Sequence, residues 1–170
     1  YGWDWGPRFV TCGIYKPIKL HFWNEAKIEN VKYSQIELND SKAILEFTTE
    51  VHVSEVQTIE LQINEKTKIF HLKKGKNKVK IQYEIVHPKL WWCNGLGEAN
   101  LYSFQINISR KKKILDSKKL NIGIRTIELI QEKDEVGQSF YIKLNGKPVF
   151  MKGANYIPPD SFLPRVTDST

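Results

Sequence analysis

The chain has 170 residues, 41% of them hydrophobic and 12% aromatic, a composition that supports a packed core and argues against wholesale disorder. Its formal charge of +7 comes mainly from lysines in short runs, "HLKKGKNKVK" at 71–80 and "SRKKKILDSKK" at 109–119, which lack the interleaved aromatics of a nucleic-acid reader and suit hairpin tips and edge strands. The two cysteines, Cys12 and Cys93, lie far apart without CxxC partners, which excludes a disulfide framework and leaves two buried free thiols as the expectation.

In chain order, "YGWDWGPRFV" comes first. Trp3 and Trp5 share strand parity if this stretch is extended, Asp4 points to the other face, and Gly6-Pro7 breaks the run. With no run-up before these residues, the stretch reads as the interior of a longer protein. Period-two alternation follows. "IKLHFW" (18–23) and "IENVKYSQIEL" (28–38) lead into "AILEFTTEVHV" (43–53), where Leu45, Phe47, Val51 and Val53 share a face opposite Glu46, Glu50 and His52. "QTIELQIN" (57–64) groups Ile59, Leu61 and Ile63, and "NKVKIQYEIV" (77–86) groups Val79, Ile81, Tyr83 and Ile85. "LYSFQINIS" (101–109) groups Tyr102, Phe104, Ile106 and Ile108, and "KKLNIGIRTIEL" (118–129) completes about seven strands at sandwich spacing. Short turn-like links and polar outer faces predict antiparallel sheets packed face to face, an all-β immunoglobulin-like β-sandwich from about 16 to 126. No window has helical periodicity, so no helix longer than a turn or two is expected there. "SFYIKLNGKPVFMKG" (139–153) then reads as a hairpin turning at Asn145-Gly146, and the irregular "ANYIPPDSFLPRVTDST" ends the chain.

Convergent chemistry is sparse. His21, His52, His71 and His87 have no metal-ligand spacing, and no GxSxG or phosphate-binding loop occurs. No apolar stretch reaches transmembrane length. Two stretches call for explanation. "LWWCNGLGEANLYSF" (90–104) places two adjacent tryptophans and a Gly-x-Gly in an inter-strand link, where one Trp can plug the sandwich end while the glycines permit a tight bend. "WDWG" fits core packing, and it fits sugar recognition equally by type, since indoles stack on the C–H faces of sugar rings and a carboxylate accepts bonds from hydroxyls.

Taken together, the motifs resemble the β-mannosidase branch of glycoside hydrolase family 2. "YGWDWGPRFVTCGIYKPIKL" resembles the end of that branch's sugar-binding jelly roll, and "LWWCNGLGEANLYSF" its WWPxGxGxxxLY segment, with Cys93 in place of the usual proline. "IGIRTIEL" is similar to the strand where the immunoglobulin-like domain meets the barrel, and "FYIKLNGKPVFMKGANYIPPDSF" to the barrel entrance, with Tyr156 where Trp is common. The resemblance implies three parts: 1–15 as the end of the jelly roll, 16–126 as the sandwich, and 127–170 as a linker hairpin and the start of a (β/α)8 barrel. It implies a retaining hydrolase of terminal β-mannosides whose two catalytic glutamates lie on later barrel strands. In this chain it implies substrate-binding roles for Trp3, Asp4, Trp5 and Asn155, no catalytic residue, no metal and no cofactor. The partners implied are the β-mannoside substrate and the rest of the same chain, with no nucleic acid and no membrane. A non-catalytic carbohydrate-binding or adhesive sandwich is the alternative, and a basic nucleic-acid-binding module a more distant one.

Overall fold

Alternating apolar residues become strands where a neighbouring backbone can take their hydrogen bonds, and in this chain seven of them do so as a sandwich. The computed structural model describes residues 6–169. Contacts divide the chain into two compact units, Trp23–Phe150 and a second made of the segments up to Phe22 and from Met151 onward. In the first unit, β1 (Ala26–Leu38), β2 (Lys42–Val53) and β5 (Gly75–Val86) form a sheet in the order β1-β2-β5. β3 (Gln57–Ile63), β4 (Lys66–Leu72), β6 (Tyr102–Arg110) and β7 (Lys113–Ile122) form the other, in the order β4-β3-β6-β7. All pairings are antiparallel. The chain changes sheet after β2, β4 and β5, the connectivity of an immunoglobulin-like sandwich. Among the described residues the only helical element is a single 3-10 turn, Leu163–Arg165.

β2 illustrates why the fold forms. Ala43, Leu45, Phe47, Thr49, Val51 and Val53 alternate into the core, and Glu46, Thr48, Glu50 and His52 face out. β2 pairs with β5 from Lys42↔Val86 to Val53↔Gly75 without a register shift. On the outer face Lys80 meets Glu46 at 2.6 Å and Lys78 meets Glu50 at 3.2 Å. On the inner face Phe47 packs on Phe104 of the opposite sheet with ring centroids 4.9 Å apart, and Tyr83 meets Phe104 edge-on at 5.2 Å. Each large side chain buried in this way contributes about 1.5–3 kcal/mol.

One side of the sandwich is closed by side chains. β1 and β7 are edge strands of different sheets, and β1 carries a bulge between Ile28 and Asn30. There the Ile28 N–H donates to Asp116 Oδ2 at 2.7 Å, and Lys118 Nζ donates to the Glu29 carbonyl at 2.8 Å. β7 thus satisfies backbone groups of β1 that its own sheet leaves free. Asp116→Ala should therefore destabilise the sandwich by about 1.5–3 kcal/mol, the range for a charge-assisted hydrogen bond to a group left buried. Denaturant unfolding checks this, with Asp116→Asn, which keeps an acceptor, expected to lose less. An unchanged midpoint in the alanine variant would mean the seam closes without it.

Three expectations need correction. Residues 18–23 are not a strand: Ile18, Leu20 and Phe22 are exposed, and none of the described strands runs alongside to pair with them. β4 was hidden in the sequence, because only Phe70 and Leu72 are apolar at its inward parity while Lys66 and Lys68 occupy the rest, as an edge strand permits. The run 118–129 is two elements, since residues 123–126 separate β7 from β8 (Ile127–Ile130). β8 joins a third sheet with β9 (Tyr141–Leu144) and β10 (Lys147–Val149), in the order β10-β9-β8. The β9–β10 turn is the expected Asn145-Gly146, with φ of 51° and 75°. Lys111 and Lys112 take the same left-handed form, φ 48° and 66°, at the β6–β7 turn, so this lysine run is a hairpin tip.

Candidate functional site

Trp3, Asp4 and Trp5 lie outside the described residues. Asn155 lies in an irregular, exposed segment of the unit that also holds residues 6–22. Among the described residues no hydrogen bond engages its amide, which presents an acceptor and two donors of the kind that read hydroxyl groups. The neighbouring turn is well fixed. Asp160 Oδ1 accepts from the Phe162 N–H and from Arg165, both at 2.7 Å, and the Arg165 N–H donates to the Phe162 carbonyl at 2.9 Å. The Arg165 guanidinium stacks 4.6 Å from the Phe162 ring centroid, and Phe9 meets the same ring at 4.9 Å. The segment following the opening motif and the segment carrying Asn155 therefore touch within one unit.

The double-tryptophan link lies in the other unit and acts as a clasp. The Trp91 N–H donates to the Ile124 carbonyl at 2.8 Å, and its own carbonyl accepts from Asn145 Nδ2 at 3.0 Å. Asn145 also accepts from the Thr126 N–H at 3.0 Å and donates its backbone N–H to the Thr126 carbonyl at 3.0 Å. The Trp91 ring lies against Gly123, where an added Cβ would come within 2.8 Å of it, and Arg125 covers the ring at 4.9 Å. Trp92 packs on Gly97 in the same manner, at 2.9 Å, with Lys147 over its ring at 5.3 Å. The two tryptophans thus tie the sandwich end to the β8–β10 sheet. Sequence reasoning anticipated the plug and the bend but missed Gly123, Arg125 and the Asn145 side chain. The Gly-x-Arg spacing in "IGIRT" was the signal available for the first two.

Titration behaviour separates these groups from an acid catalyst, which needs a raised carboxyl pKa. Lys27 and then His52 hold Glu29 below the usual carboxylate range, and Lys80 does the same for Glu46. The Tyr83 hydroxyl lowers Glu65, and Arg165 followed by the Phe162 N–H lowers Asp160. His52 lies 3.4 Å from Glu29 with its ring 5.0 Å from Trp23, and His71 meets the Thr58 hydroxyl at 2.6 Å on the outer sheet face. Among the described residues no three His, Cys, Asp or Glu side chains gather as metal ligands. Both cysteines are free. Cys93 is half-buried, but Cys12 is exposed, against expectation, because its segment is irregular and leaves its side chains uncovered.

A β-sandwich clasped rigidly to a following small sheet, with an exposed amide segment in a separate unit, defines a scaffold module of a larger assembly. The sequence model of Glycosyl hydrolases family 2 matches residues 26–125, and the chain belongs to that family. It is 32% identical over 175 residues to Beta-mannosidase B of Aspergillus flavus and 33% identical over 176 residues to Beta-mannosidase B of Emericella nidulans, covering 98% of this chain each time. Against the crystal structure of a β-D-mannosidase from Dictyoglomus thermophilum it superposes with a TM-score of 0.91 at 37% identity, over 99% of this chain and 22% of that one. The chain spans about a fifth of the length of these curated relatives, 20% in both cases.

Proposed function

We propose that this chain is the central, non-catalytic region of an exo-acting, retaining β-mannosidase, supplying the barrel's scaffold and a loop to its mannose subsite. The observation that carries the reading is coverage. Likeness to β-mannosidases extends over 98–99% of the chain, beyond the sandwich to the segments at either end. In this reading Asp4 accepts hydrogen bonds from sugar hydroxyls, Trp3 or Trp5 walls the pocket, and Asn155 reads a further hydroxyl. The nucleophile and the acid/base are two glutamates supplied from elsewhere in the enzyme. The lowered carboxyls of the sandwich and turn, each stabilised as an anion, fit that division of labour.

The reading makes a direct prediction. The purified 170-residue chain should hydrolyse no aryl β-mannoside, whereas the complete enzyme should release β-mannose with retained configuration, followed by proton NMR of the first product. Turnover by the chain alone, with contaminants excluded, would place the catalytic groups within it and overturn the assignment.

A further inference from the structure

We infer that Phe162 is a positioning residue that locks the opening loop to the segment bearing Asn155, an inference that rests on the function proposed above. Phe162 is constrained from several directions at once. Its N–H is bound by Asp160 at 2.7 Å, its carbonyl by the Arg165 N–H at 2.9 Å, and its ring is stacked by the Arg165 guanidinium at 4.6 Å. Arg165 is itself held, its guanidinium bonded to Asp160 at 2.7 Å. The loop therefore has no free rotation with which to move the ring. Onto this fixed ring packs Phe9, with centroids 4.9 Å apart and planes tilted by 38°.

What the clamp joins gives it a purpose. Asp4 precedes Phe9 by five residues, with Pro7 stiffening the stretch between. Asn155 precedes Phe162 through Pro158 and Pro159, a second stiff link. Both proposed sugar-reading groups thus lie a short, restrained path from one aromatic contact. Asp160, Arg165 and the two phenylalanines remain half-exposed or exposed, so the contact adds little to a core. Its energetic value lies in orientation, where a displacement of about 1 Å can cost on the order of a hundredfold in rate.

The test is a mutant cycle in the complete enzyme with an aryl β-mannoside. Phe162→Ala should lower kcat/KM by about ten- to a hundredfold. Phe162→Tyr, which keeps the ring, should restore most of it. Arg165→Gln, which frees the ring without truncating it, should show a smaller loss in the same direction. The deciding comparison is Asp4→Ala against Asp4→Ala/Phe162→Ala: if Phe162 acts through the opening loop, the double variant is scarcely worse than the single one. Losses that multiply independently, or wild-type kinetics in Phe162→Ala, overturn the clamp. A crippling Asp4→Ala beside an inert Phe162→Ala sinks the clamp alone, whereas an inert Asp4→Ala sinks the sugar-reading role on which it rests.

Discussion

Gly123→Ala should destabilise the chain by about 2–3 kcal/mol, lowering its thermal midpoint by roughly 5–12 °C. The added Cβ would lie 2.8 Å from Trp91 Cγ, 2.9 Å from its Cβ and 3.0 Å from its Cδ1. Contacts that short require one partner to move, and neither can do so cheaply. Trp91 is held at both backbone polar atoms, by Ile124 and by Asn145, and Arg125 covers its ring. Gly123 follows directly on the buried end of β7 and precedes buried Ile124, so backing away would pull two core residues with it. The clash predicts its own remedy. In a Trp91→Leu background, where the indole is gone, Gly123→Ala should cost much less, so the two substitutions should be strongly non-additive in denaturant unfolding. A full-sized loss that persists without the indole would assign the glycine's role to its backbone rather than to Trp91.

The same clasp marks how far the residues alone could be read. Alternation located Leu45, Phe47, Ile59, Leu61, Ile63, Phe104, Ile106 and Ile108 in the core, because each belongs to a strand with a partner on at least one side and an apolar sheet above it. The same rule failed at Ile18, Leu20 and Phe22, where the pattern is present but no described strand pairs with it. It failed in the opposite sense at β4, whose lysines at inward positions erase the pattern although β3 supplies a full ladder of partners. Period reports what a strand needs, and pairing depends on residues distant in sequence. The site divides similarly. "WWCNGLG" could be read as a bend with a plug, but the receiving Gly123 and the tethering Asn145 come from later segments and are visible only once the chain folds back. Asn155 stood out through resemblance rather than through pattern, and its exposure and free amide are consistent with a ligand-facing role without requiring one.

Asp4→Ala in the complete enzyme is expected to lower kcat/KM for a β-mannoside by roughly ten- to several-hundred-fold, with the thermal midpoint barely changed. A carboxylate that accepts bonds from sugar hydroxyls in a closed pocket contributes on the order of 1.5–3 kcal/mol for each bond. Such bonds strengthen as the ring flattens toward its oxocarbenium-like transition state, so part of the loss should fall on kcat and not on KM alone. Asp4→Asn keeps an acceptor while removing the charge, and should fall between alanine and wild type. The rival role for this residue is structural: a carboxylate flanked by two tryptophans can anchor its own loop, and losing it would then lower stability and activity together. Kinetics and melting temperature measured on the same variant separate the two. The contact between Phe9 and Phe162 at 4.9 Å sharpens the comparison, because a loop already fixed a few residues downstream does not depend on Asp4 for its anchorage. A wild-type kcat/KM, or a loss that merely follows a falling midpoint, would remove Asp4 from the sugar site.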